Sequence, residues 1–130
     1  MYYYEKDYIM RLIHGIARVL ARMLFGRDMD DEGELVQVMG EACRESCDYL
    51  RRMVESGRIN AAEEKLFDLL ETAAWDERQK AALIISFYDD VNNRDDAFLA
   101  RANFTREEII GGLEDAMKAI RMDIPEYLKI

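Results

Sequence analysis

A single proline in the whole chain leaves almost nothing to break a helix. A single histidine, His14, and two cysteines, Cys43 and Cys47, leave a structural zinc site short of ligands. The two thiols sit one helical turn apart, where a disulfide would strain the helix, so they are expected as small buried hydrophobes. No apolar run approaches the ~18 residues a membrane span needs. No short apolar core precedes a small-residue cleavage site, and Glu5, Asp7 and Arg11 interrupt the start, so no secretory signal is read and the cytoplasm is the expected compartment. There is no glycine-rich phosphate loop, and Ser46, Ser56 and Ser86 lie outside any strand–turn–helix elbow. These absences leave no nucleophile–base set, no metal site and no cofactor motif, and the reading leans away from an enzyme.

Positive charge is also scarce. Lys and Arg number 18 against 27 Asp and Glu, for a net charge of −9. A balance of that sign excludes general nucleic-acid binding, which needs a basic face. The few basic residues are not spread evenly. Residues 1–27 hold Lys6, Arg11, Arg18, Arg22 and Arg27 against Glu5 and Asp7, a local +3 that leaves −12 for the rest of the chain.

The same segment carries the longest amphipathic pattern. From Tyr8 to Phe25 the residues Ile9, Leu12, Ile13, Ile16, Val19, Leu20, Met23 and Leu24 recur at three- and four-residue steps, which builds one apolar stripe on a helix. Arg11, Arg18 and Arg22 share one edge of it, beside His14. The apolar set is wider than one neighbour needs. A homodimer, or contact with another protein, is expected through Ile9, Leu12, Ile16, Leu20 and Met23, flanked by Arg11, Arg18 and Arg22. The competing reading is a peripheral membrane surface, since Tyr2-Tyr3-Tyr4 and the arginines suit lipid headgroups. It is disfavoured because the acidic remainder would repel an anionic bilayer.

The rest of the chain also reads as helix, and no strand pattern of any length is present. At 130 residues one domain is expected, long enough to bury about two-thirds of its unfolded surface. Gly26 closes the first helix. Asp31 with Glu34 opens the second, which Gly57 stops; its core stripe includes Cys43, Leu50, Met53 and Val54. Asn60 is expected to cap the third, and Asp76 with Gln79 the fourth, whose stripe is Leu83, Ile84, Phe87, Tyr88 and Val91. A short helical turn follows near Ala97. Thr105 with Glu108, and Phe104 with Ile109, mark a capping box and hydrophobic staple for the last helix, running to about Met122. The expected fold is all-α, five to six antiparallel helices in a helical-hairpin array or bundle.

Within this pattern Gly57, Ala62, Leu66 and Leu69 resemble the centre of a tetratricopeptide hairpin, where a glycine turn lets two helices cross at an alanine. A stable stack of such hairpins usually needs at least about three copies. The chain as a whole resembles a family of small, functionally uncharacterised bacterial proteins. The resemblance lies in the opening Asp7-Tyr8-Ile9-Met10-Arg11-Leu12-Ile13 and in the hairpin Gly57-Arg58-Ile59-Asn60-Ala61-Ala62-Glu63. It implies a helical cytosolic protein and no particular reaction.

Two acidic stretches invite a metal reading. Asp28, Asp30, Glu32, Gly33 and Leu35 follow the spacing of a calcium loop, but Met39 stands where the bidentate glutamate belongs. Asp89, Asp90, Asp95 and Asp96 crowd a second stretch, with Arg94 among them. Both are expected to be solvated loops rather than sites. Gly111-Gly112 inside the last helix costs stability, about 1 kcal/mol for each relative to alanine. The expected return is close approach of another backbone, at Gly15 or Gly40.

Overall fold

A computed structural model describes the backbone of residues 2–25 and 32–122, and the side chains of residues 8, 10–22 and 37–122. The Asp28–Glu32 side chains, the Asp31–Glu34 cap and the side chains of Ile9 and Met23 lie outside the described residues. Six helices are described: α1 (Tyr2–Phe25), α2 (Glu32–Glu55), α3 (Ile59–Thr72), α4 (Glu77–Asn92), α5 (Asp96–Arg101) and α6 (Arg106–Ala119). No strand occurs among the described residues.

The helices are arranged around α4, which touches α1, α2, α3 and α6. Every residue from Ala81 to Tyr88 is buried, as are Val91 and Asn92. A helix apolar on all sides belongs in the middle of a core, and the single expected stripe therefore understates α4. The helix starts at the expected capping box: Asp76 Oδ1 accepts from Gln79 N at 2.8 Å, and Gln79 Oε1 accepts from Asp76 N at 3.0 Å.

Long-range contacts fix the directions. Asn92 Nδ2 donates to the Met10 carbonyl at 3.0 Å, and His14 lies 3.4 Å from Asp89, so α1 runs antiparallel to α4. Arg106 reaches Asn92, and Tyr88 lies beside Gly112, so α6 is also antiparallel to α4. α1 and α6 are thus parallel neighbours whose residues stand at matching heights. α2 runs the other way, parallel to α4, with Met39 at Gln79 and Cys47 at Ser86.

The α2–α3 hairpin closes at Gly57, whose φ of +86° is a conformation glycine adopts without strain. Gly57 N donates to the Val54 carbonyl at 2.9 Å and Arg58 N to that of Met53 at 3.0 Å. Ala62, Leu66 and Leu70 line the buried side of α3. In a stack of hairpins each unit touches only its neighbours; here four helices enclose a fifth. Ala62 is fully buried, so Ala62→Leu is expected to overpack the hairpin and cost about 1–3 kcal/mol. An unchanged thermal midpoint would show that α3 has room there.

Three local expectations are corrected. Asn60 does not cap α3; the helix starts two residues earlier than that cap implies, at Ile59 after Arg58, with no side-chain cap. The Asn60 amide instead donates to the carbonyls of Ala102 and Asn103, both at 3.3 Å, tying α3 to the turn before α6. α6 ends at Ala119, short of Met122, and Arg121 follows at a φ of +62°. α2 is also broken within its length at Gly40, where φ is +78° and ψ 177°. Gln79 Nε2 donates to the Met39 carbonyl at this break, at 2.6 Å.

Candidate functional site

Two grooves on neighbouring helices carry opposite charge. The first follows the outward edge of α1. Its inward stripe, Ile13, Ile16, Ala17, Leu20 and Ala21, is buried in the chain's own core, and Leu12 packs half-buried against it. Ile16 and Leu20, expected at an interface, are therefore already covered within one chain. Arg11, Arg18 and Arg22 are exposed on the opposite edge, and so is Tyr8, at 59% of its surface. A groove of about 490 Å³ runs along this edge, lined by Arg11, His14, Gly15, Arg18, Asn92 and Asn93. His14 Nδ1 faces Asp89 Oδ1, and its ring is half exposed.

The second groove, of about 270 Å³, lies between α3 and α6. Glu63, Phe67, Glu108, Gly111, Gly112 and Asp115 line it. One of these residues, Glu63, holds a part-buried hydrogen bond in which Tyr88 Oη donates to Glu63 Oε2 at 2.6 Å. Gly112 is the reason this pair fits. A β-carbon there would meet the Glu63 carboxylate, Tyr88 Oη at 2.6 Å and Tyr88 Cε1 at 2.8 Å. The close approach is thus to two side chains, and not to the backbone at Gly15 or Gly40 as expected. Gly111, one residue earlier, faces open space.

Burial raises the Glu63 carboxyl above its ordinary value of 4.5; the Tyr88 hydrogen bond opposes that, and Glu108 and Asp115 add to it. Burial and the neighbouring carboxylate push the Tyr88 hydroxyl up, so it stays protonated and donating. A carboxyl raised on folding binds more protons in the native state, so its contribution falls as pH rises from 4.5 through the folded value. Glu63→Gln keeps an acceptor for Tyr88 and removes the charge. It is expected to raise the melting midpoint at pH 7 and flatten the pH dependence above 4.5. Parallel pH profiles for the two proteins would contradict this.

The stretch from Asp89 to Asp96 is not a cation cluster. Asp90 holds Arg94 through two 3.2 Å contacts, Asp89 faces His14, Asp95 caps α5 through Phe98 N at 2.8 Å, and Asp96 accepts from Arg106 at 3.2 Å. Asp89 and Asp90 still belong to α4, so the carboxylates are divided among separate partners. Among the described residues no group of three His, Cys, Asp or Glu is placed to hold a metal ion.

Both cysteines are free and buried. Cys43 donates to the Gln79 carbonyl at 3.7 Å, and Cys47 lies 3.5 Å from Ser86 Oγ. Burial pushes the Cys43 thiol up to about 12 and raises that of Cys47, so neither supplies a thiolate near neutral pH.

Sequence reasoning named the basic edge and missed the acidic groove. The Gly111-Gly112 pair within a helix was its available signal, since Glu108 and Asp115 flank it at one-turn spacing. Among the described residues no helix is long and apolar enough to cross a membrane.

The profile of one family, described as a family of unknown function (DUF6483), matches residues 3–121. No curated protein and no solved structure matches the chain. With nearly its whole length covered, the chain belongs to that family.

Proposed function

We propose that this member of DUF6483 is a helical interaction module that self-associates through the outward edge of α1. The observation that carries the reading is the division of labour on α1. Its apolar stripe is consumed by the chain's own core, while the opposite edge exposes Arg11, Arg18 and Arg22 beside Tyr8. These charges oppose the sign of the whole chain, which is −9. A local patch of contrary sign steers an acidic protein surface toward it, and every other copy of this chain offers one.

Sedimentation equilibrium of the full chain across a concentration series tests the reading. A dimer that dissociates as salt rises is expected, because exposed charge pairs are screened over about 8–10 Å at physiological salt. A strict monomer at every concentration would overturn it. A monomer that instead pellets with vesicles containing phosphatidylserine would replace the protein partner by a lipid surface.

A further inference from the structure

The two grooves match each other. On α1, Arg11 and Arg18 are seven residues apart with Gly15 between them; on α6, Glu108 and Asp115 are seven apart with Gly111 and Gly112 between them. Seven residues rise about 10.5 Å, so the two charge pairs have the same separation along their helices. A β-carbon at Gly15 or at Gly111 would touch nothing, which leaves room for another helix at the middle of each face.

The heights also match. Met10 stands level with Asn92 and Asn92 level with Arg106, while Asp89 faces His14 and Tyr88 faces Gly112. Arg11 is therefore level with Glu108, Gly15 with Gly111 and Gly112, and Arg18 with Asp115. α1 and α6 are parallel neighbours on one side of the bundle. A two-fold axis running along the bundle keeps every height and exchanges left for right. It sets α1 of one copy against α6 of the other.

On the reading that the chain self-associates through α1, we propose that the partner surface is the acidic groove of a second copy. Arg11 then meets Glu108 of the second copy and Arg18 meets its Asp115, with glycines facing between. The contact is reciprocal, so each charge pair is made twice, as an isologous interface requires. The glycines let the helices approach closely, and the charges set the register.

The reciprocity gives a decisive test. In homodimers of Arg18→Glu, both Arg18–Asp115 contacts become like-charge contacts, and Asp115→Arg has the same effect with the opposite sign. Each variant alone is expected to dissociate about tenfold or more above the wild type. In a mixture, the hetero-pair has one native contact and one inverted but complementary contact. Equimolar mixing is expected to restore a dimer in sedimentation, with both chains present in it. Both positions are exposed, so folding is checked by far-UV circular dichroism and the melting midpoint. A wild-type monomer would defeat self-association itself. A wild-type dimer unaffected by either variant would leave self-association standing and overturn this pairing, as would two weakened variants that fail to recover on mixing. Gly111→Trp supplies an uncharged check, and a dimer of native strength in that variant would also overturn the pairing.

Discussion

Replacing Arg106 by alanine is expected to cost about 3–5 kcal/mol, a large part of the stability of an ordinary domain. Arg106 is 7% exposed, although it occupies the first position of α6. Its guanidinium donates to the carbonyls of Asn92 and Arg94, both at 2.7 Å, and to Asn92 Oδ1 and Asp96 Oδ1, both at 3.2 Å. Truncation leaves two carbonyls of the α4–α5 connection without this donor in a place water reaches poorly. It also frees the Asn92 amide, whose Nδ2 holds the Met10 carbonyl. The damage therefore spreads from α6 through α4 to α1. Arg106→Lys should recover only part of the loss, because an ammonium cannot span the planar fork of acceptors. Urea denaturation monitored by circular dichroism measures both. If the alanine variant unfolds at the wild-type midpoint, the guanidinium is not holding the connection.

Gly112→Ala is the second large effect, and its sign separates two forces. Helix propensity alone favours the alanine by about 1 kcal/mol. Against that, the new methyl group occupies the space of Tyr88 Oη and the Glu63 carboxylate. Overpacking typically costs about 1–3 kcal/mol, and losing a hydrogen bond to a charged group costs about 1.5–3 kcal/mol. A net loss of about 1.5–5 kcal/mol is expected after the propensity gain is subtracted. Gly111→Ala is the internal control: its β-carbon touches nothing, so a monomeric sample should gain up to about 1 kcal/mol. If both alanines stabilise equally, the Tyr88–Glu63 pair has somewhere else to go.

The two variants show where sequence reasoning reaches and where it stops. Features that depend on neighbours within one turn were mostly legible, the expected Asn60 cap being the exception. Asp76 with Gln79 and Thr105 with Glu108 both form the expected reciprocal caps, and Gly57 ends α2. These contacts join residues three apart, so spacing alone announces them. The buried state of Cys43 and Cys47 followed from periodicity in the same way.

What was not legible depends on distant residues. Arg106 sits behind a capping threonine, where a charged residue reads as solvated, and its partners lie in a connection 10–14 residues back. α4 was read as amphipathic because periodicity selects the strongest stripe. The unbroken run Ala81-Ala82-Leu83-Ile84-Ile85 was the better clue to a central helix. Gly112 looked like a cost without a return, since Tyr88 and Glu63 come together only when α3, α4 and α6 pack. On α1 the pattern placed Ile13, Ile16 and Leu20 on the apolar stripe, as the structure does, yet no pattern says whether a stripe faces its own core or a second chain. The acidic groove was missed for the same reason, being shared by α3 and α6.

The break in α2 links two helix beginnings through one side chain. Gln79 uses both ends of its amide, one to close the cap of α4 and the other to hold the Met39 carbonyl beside Gly40, and its own carbonyl receives the Cys43 thiol. Neither the first turn of α4 nor the bend in α2 can open without giving up contacts that belong to the other. The two segments therefore form one cooperative unfolding unit, although about 40 residues of chain separate them. Such a unit requires closing a long loop before either half is rewarded, so it belongs to the later part of folding. The α2–α3 hairpin, built from contacts close in sequence, has no such requirement.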